Sequence, residues 1–364
     1  MRTGYTTGAC AAAAAKAATL TLTSGPVSAV MIKCPTGEQI EIPVARCEMV
    51  GPGAARAIVV KDSGDDAKYD VTHGIEIIAV VNFRSGTGIT VKGGEGVGVV
   101  TKPGLQVAVG EPAINPVPRR MIIESVQEVI PANTSAEIVI NVPDGAKLAN
   151  RTYNPKLGIV GGISIIGTTG IVKPRSVSAF IASVAAQIDV AVAQGHERLV
   201  LVPGSIGEKI AKQLLGTSTE EIIQAGDFIG YMLKKATQKG VKEVIILGHA
   251  GKLVKVAAGI FNTNYRVADA RREIVAAYAA QAGAPTNVIE MIMNANTTDE
   301  MADTLERYEL SETTFNLIAD AIKERVIQKT GGRMKTQIVI VSYEGKVLGS
   351  DSETRRLRMW RRSS

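Results

Sequence analysis

Aromatic side chains are scarce in this chain, with five phenylalanines and a single tryptophan among 364 residues. That argues against a surface of stacked nucleobases, where each aromatic platform contributes roughly 1–3 kcal/mol per base. Cysteine is scarcer than phenylalanine. Cys10, Cys34 and Cys47 are odd in number and lack zinc-ligand spacing, which suits a reducing cytoplasm and small buried thiols. No uninterrupted apolar stretch reaches the about 18 residues that a bilayer span requires. A signal peptide is also disfavoured: Thr3, Tyr5, Thr6 and Thr7 break the opening, Lys16 cuts the alanine run, and no cleavage pattern follows. These absences point to a cytoplasmic protein with no membrane partner. A phosphate-binding P-loop is missing too, since "GHAGK" has no glycine five residues before Gly251 and no Ser or Thr after Lys252. The triplet Gly94, Gly96, Gly98 lacks dinucleotide-fingerprint spacing, and no helix follows it.

What is present suggests two domains, because the length exceeds one ordinary core. The formal charge of +6 is modest and partly concentrated in "RRLRMWRR", Arg355 to Arg362. This reads as a solvated basic tail rather than a nucleic-acid binder, and the remaining excess favours an anionic small molecule. The texture changes along the chain. Up to about Val142 the segments are short, β-branched and punctuated by Gly and Pro, with helices at "AAAAAKAA" and "PVPRRMIIESVQEVI". From about Val177, apolar strands such as "RLVLV" and "KEVIIL" alternate with helices, the pattern of βαβ units around a parallel sheet. A final "TQIVIVSYEGKVLGS" should return a strand to that sheet. The expected fold class is α/β and α+β in two domains. Residues 1–170 form a strand-rich α+β domain with an Ala-rich N-terminal helix, residues 171–350 a Rossmann-like α/β domain with a mainly parallel sheet, and residues 351–364 a basic tail.

Five stretches carry candidate chemistry. In "RTGYTTGACAAAAAKAA", Thr6 and Thr7 open a helix, with Thr7 the expected N-cap, and the helix start offers free N–H donors to an anion. In "KDSGDDAKYDVTHG", Asp65, Asp66 and His73 are candidates for proton handling, and the aspartates do not follow EF-hand spacing. "GEPAINPVPRR" delivers Arg119 and Arg120 to a helix start. "GIVGGISIIGTTGIVKPRS" repeats the Thr-Thr-Gly turn at Thr168 and Thr169, so that two such turns could close on one ligand. Lastly, "LVPGSIGEK" and "IILGHAGKLVK" are strand-to-helix junctions at the carboxyl end of an open parallel sheet, where ligands bind. They offer Gly204, Ser205, Gly207, Glu208, Gly248, His249, Gly251 and Lys252.

Taken together and in this order, these motifs, with "GEGVGVVTKPGL", resemble the CbiD family, the cobalt-precorrin-5B C1-methyltransferases of anaerobic cobalamin biosynthesis. The resemblance covers nearly the whole chain except the basic tail. It implies a methyl group moved from S-adenosyl-L-methionine to ring carbon C1 of a cobalt-bearing tetrapyrrole, yielding cobalt-precorrin-6A. Cobalt would enter only within the substrate, so no metal ligand is assigned. The resemblance carries over no residue roles; the following ones are assigned on charge. Thr6, Thr7, Arg119, Arg120, Thr168, Thr169 and Lys252 suit the carboxylate-rimmed ring, as do Lys173 and Arg175, and the alanine helix either offers it a flat face or packs against another helix. Gly204, Ser205, Gly207, Glu208, Gly248, His249 and Gly251 suit the donor. His73, Asp65 and Asp66 serve proton transfer or the donor's positive charge. A small-molecule tetrapyrrole is the expected partner, and a homo-oligomer is compatible with the sequence. Two other readings stay open: a non-catalytic tetrapyrrole carrier or scaffold, and a nucleotide-dependent enzyme using "GHAGK".

Overall fold

A two-residue strand, Gly4–Tyr5 (β1), leads into helix α1, Thr7–Thr23, in the computed structural model, which describes residues 2–173 and 177–357. Alanines 9, 11–15, 17 and 18 have no solvent exposure at all. A helix apolar all round must be enclosed, and side chains this small let both a sheet and a second helix approach closely. The alanine surface is therefore the centre of a core and not a face offered to a ring. Its polar members are satisfied internally: the Thr19 and Thr21 hydroxyls each donate to the carbonyl four residues back at 2.8 Å. Lys16 donates to Met31 O at 2.8 Å and pairs with Glu128 at 2.5 Å.

The strands that follow in this unit are β2 (Ala29–Lys33), β3 (Gln39–Pro43), β4 (Arg46–Gly51), β5 (Ala54–Val60), β6 (Glu76–Ser85), β7 (Ile89–Gly93), β8 (Val99–Val100) and β9 (Thr134–Asn141), and of these β2, β4, β5 and β6 lie against α1. Five of them form one sheet in the order β4-β5-β6-β9-β7, antiparallel except for the parallel β7–β9 pair. Alternation along β5, β6 and β9 turns Ala57, Val59, Ile77, Ala79, Val81, Ile138 and Ile140 inward to the α1 core. Helix α2, Pro116–Gln127, packs against α1 through Met121, Ile122 and Val126, and Pro116 occupies its first turn, where the missing N–H is harmless. A short helix α3 (Gly145–Ala149) and strands β10 (Ile159–Val160) and β11 (Ile171–Val172) complete this unit, with β10 on β8 and β11 on β1.

By chain compactness the molecule divides into Met1–Phe180 and Ile181–Ser364. Helix α4, Val177–Ala193, reaches into the second unit, and Gly195 follows it at φ +87°. Next come β12 (Arg198–Val202), α5 (Ser205–Leu215), β13 (Ile222–Gln224), α6 (Ile229–Gln238), β14 (Glu243–His249) and α7 (Ala250–Ala257). Four helices follow, α8 (Arg271–Gln281), α9 (Thr286–Asn294), α10 (Thr298–Arg307) and α11 (Ser311–Thr330), then β15 (Lys335–Val341), β16 (Val347–Ser350) and α12 (Ser352–Leu357). The sheet order is β13-β12-β14-β15-β16, parallel apart from the β16 edge. The final strand does return, as β15 beside β14. Residues of both parities along β12, β14 and β15 are buried, as expected of a parallel sheet covered on both faces. Among the described residues no helix is long and apolar enough to cross a membrane.

The expected tail is structured at its start. Asp351 is fully buried, accepts from Ile338 N at 2.8 Å and pairs with Lys323 at 2.8 Å. The Thr354 hydroxyl also donates to Asp351, and Arg355 pairs with Asp320 at 3.0 Å. This polar anchor fixes α12 to the sheet edge. Residues 358–364 lie outside the described residues.

Candidate functional site

In the first unit the opening turn and the second Thr-Thr-Gly segment meet. Thr6, not Thr7, is the N-cap of α1, its Oγ1 accepting from Ala9 N at 3.2 Å. Thr7 is buried one residue further in. Its hydroxyl donates to Ile166 O at 3.1 Å and accepts from Ile166 N at 2.8 Å. Gly8 N donates to Ile166 O and Thr6 N to Gly170 O, each at 3.0 Å. Of the helix-start donors expected to await an anion, Gly8 N is thus taken up by the 166–170 segment and Ala9 N by the Thr6 hydroxyl. Gly167, at φ +135°, lies so close to Thr6 that any side chain there would collide with it. Thr169 donates to Ile171 O at 2.9 Å, whereas Thr168 is exposed. Of these four threonines, Thr168 alone stands on open surface.

The other side of the opening strand holds the aspartate loop. Tyr5 N donates to Asp62 O at 2.7 Å, and Asp65 N to Arg2 O at 3.0 Å. The Arg2 guanidinium grips both Asp62 oxygens, and this hydrogen bond holds the Asp62 carboxyl below its usual range. Asp65 accepts from Arg2 N at 2.8 Å. Asp66 closes a single 3-10 turn, Gly64–Asp66. His73 sits at the loop's exit, its Nδ1 accepting from Ser63 N at 3.1 Å, so a neutral ring carries its proton on Nε2. Sequence reading passed over the loop's buried anchor. Lys61, 2% exposed, pairs with Asp70 at 2.5 Å and donates to Ser63 Oγ at 2.6 Å. Burial opposes charge on Asp70, but Lys61, Thr72 and Ser63 outweigh it and hold the carboxyl at about 2.

Arg119 and Arg120 occupy the first turn of α2. Arg119 is half-buried and donates to Val91 O at 2.9 Å, while Arg120 is exposed and loosely paired with Glu124 at 3.9 Å. Lys173 is exposed; Arg175 lies outside the described residues. The glycine run 94–98 has a packing reason: a side chain at Gly96 would strike Val142 O, and one at Gly98 would meet Gly162 O at 2.8 Å.

In the second unit the junction residues lie along the carboxyl edge of the sheet. The chain leaves β12 for β13 on one side and returns to β14 on the other, so the switch point falls between β12 and β14. Gly204 is the N-cap of α5, has no side-chain cap and faces open space, with Ser205 exposed beside it. Three other glycines serve packing. A Cβ at Gly207 would lie 3.1 Å from Val202 Cβ, at Gly248 2.6 Å from Pro203 Cδ, and at Gly251 2.9 Å from His249 Nδ1. Glu208 accepts from Lys212 at 3.0 Å and from Gln224 at 2.6 Å. Lys252 is neutralised by Asp227 at 2.5 Å. Burial opposes the Asp227 charge, yet Lys252, Thr263 and Asn264 hold that carboxyl below its usual range. His249 caps α7 through Nδ1, and its Nε2 lies 2.6 Å from Asp299, fifty residues on. No spacing rule could have found that partner. Among the described residues no three His, Cys, Asp or Glu side chains cluster so as to hold a metal ion.

Comparison with known proteins gives a consistent answer. The CbiD family model matches residues 1–174, and the model described as CbiD, C-terminal domain, matches residues 262–352. The cobalt-precorrin-5B C(1)-methyltransferase of Methanocaldococcus jannaschii is 48% identical over 95% of this chain and 95% of its own. That of Moorella thermoacetica is 45% identical over 98% of this chain and 97% of its own. A crystal structure of a cobalamin biosynthesis protein (cbiD) from Archaeoglobus fulgidus is 30% identical, covers 75% of this chain and 84% of that one, and aligns with a TM-score of 0.39. With relatives this similar along nearly its full length, the chain belongs to the CbiD family.

Proposed function

We propose that this chain is an S-adenosyl-L-methionine-dependent methyltransferase that methylates C1 of cobalt-precorrin-5B, giving cobalt-precorrin-6A in anaerobic cobalamin biosynthesis, in the cytoplasm. The observation that carries the reading is the 48% identity to the Methanocaldococcus jannaschii C(1)-methyltransferase across 95% of both chains. When bound, the donor supplies a methyl group on a cationic sulfonium: the S–CH3 bond breaks with its electron pair kept by sulfur, a C–C bond forms from ring electrons, and the positive charge passes to the ring. Such a displacement asks the protein to hold two partners at near-attack distance and to keep water out, and needs no nucleophilic side chain.

The residues of the second unit fit the donor, and we read its sheet as Rossmann-like. Gly204 leaves space at the uncapped start of α5, where backbone donors and the helix dipole suit the donor's carboxylate. Ser205 lies beside that space, and His249 ends β14, the strand next to β12. For the macrocycle's carboxylates the first unit offers Arg119, Arg120 and Thr168, while Thr7 and Lys252 act by holding their own loops. His73 Nε2, with Asp65 and Asp66 nearby in sequence, is the proton-handling candidate. Methyl-labelled S-adenosylmethionine incubated with the protein and the cobalt tetrapyrrole should put label into the ring. Bound but unlabelled tetrapyrrole would mean a carrier, and ATP consumption a different enzyme altogether.

A further inference from the structure

Two loops at the carboxyl edge of the second unit's sheet are tied to one carboxylate. Asp299 stands in the first turn of α10. Its Oδ2 lies 2.6 Å from His249 Nε2, and its Oδ1 accepts from Tyr343 N at 2.8 Å. Across the imidazole, Nδ1 accepts from Gly251 N at 3.1 Å. A ring nitrogen that accepts carries no proton, so the neutral ring must donate to Asp299 from Nε2. Both carboxylate oxygens are therefore engaged by neutral donors, one from the end of β14 and one from the turn after β15. The Tyr343 ring, 65% exposed, meets the imidazole edge-on with centroids 6.0 Å apart. His249 ends β14, the strand that borders the switch point, and its register opposite Val341 sets the Tyr343 turn on the β15 side of that strand.

We propose that Asp299 is a positioning residue of the donor site. It fixes His249 as the Nε2–H tautomer and draws the Tyr343 turn against it, building an imidazole–phenol wall on which the donor's flat adenosyl group rests. The wall keeps a net negative charge, since neither partner of Asp299 is cationic. That charge attracts a group bearing an ammonium and a sulfonium and repels a ring rimmed with carboxylates, which selects the donor over the macrocycle. The inference rests on the methyltransferase reading above.

Titration calorimetry of the full-length protein with S-adenosylhomocysteine tests it. D299N puts an amide N–H against one of two donors, and should weaken binding about tenfold. Y343A should do the same, and Y343F, which keeps the ring, should recover most of the loss. H249A combined with D299N should cost no more than the worse single change, because the two act as one unit. Nitrogen-15 spectra of the histidine side chains should show His249 protonated at Nε2 and bare at Nδ1, with that pattern lost in D299N. Wild type that binds, with D299N within twofold of it, overturns the positioning role alone, as does a protonated Nδ1. Wild type that does not bind S-adenosylhomocysteine overturns the donor reading together with this wall.

Discussion

The Lys61–Asp70 pair shows how one side chain can set the behaviour of a loop. Lys61 is 2% exposed, so removing its partner strands a buried ammonium. D70N should cost about 3 kcal/mol at neutral pH, the lower end for a broken buried pair because Asp70 keeps some exposure. The folded Asp70 carboxyl sits at about 2, below the unfolded value. Its contribution is therefore complete above pH about 4 and disappears as pH falls through about 2. Urea unfolding of wild type and D70N should show a gap that is wide at pH 7 and narrow near pH 2.5; an equal gap at both would contradict the pairing. Residue types were legible in the sequence here, and partnerships were not. Asp65 and Asp66 stood out by adjacency, yet the deeper interactions belong to Asp70 and, far along the chain, to Asp299. The N-cap moved from Thr7 to Thr6 because the Thr7 hydroxyl is claimed by Ile166, a contact between segments 159 residues apart.

At the scale of elements, α1 makes the sharpest demand. It is enclosed by α2 on one side and by β5 and β6 on another. Ala13→Leu adds three carbons where none fit and should destabilise the first unit by about 3 kcal/mol, at the upper end of typical overpacking. Ala13→Gly, which lowers helix propensity and removes one buried methyl, should cost about 2 kcal/mol. Thermal unfolding of the two variants should rank them in that order, and a tolerated leucine would mean that the helix is less tightly held. The long strands β2, β3, β5, β6, β7 and β9 and the helices α1, α2 and α4 to α7 were readable from periodicity. Strand β4 was not, because "RCEMVG" alternates weakly and takes its place from pairing with β5. The purpose of the glycines was also hidden. Those at 96, 207 and 248 admit neighbouring protein rather than a ligand, a distinction that depends on what the fold brings alongside.

For the whole molecule, a ligand that binds the folded state stabilises it by mass action. S-adenosylhomocysteine at a hundredfold excess over its dissociation constant should add about 2.7 kcal/mol, seen as a rise in the unfolding temperature. No rise at saturating ligand would mean that the folded protein does not bind the donor's product, against the donor reading. The change of texture near Val177 announced a second kind of architecture, and the parallel sheet with its returning final strand followed from it. Sheet order could not be read, since crossovers leave no local mark.

The fully enclosed α1 has a consequence for how the protein is made. It leaves the ribosome before β5, β6 and α2, which will cover it, and α2 ends about 100 residues later, on the order of ten seconds at ordinary synthesis rates. Alanine methyls are weakly adhesive, so the nascent helix can wait uncovered without capturing other chains. A leucine-rich helix in the same place would pass that interval as an aggregation nucleus.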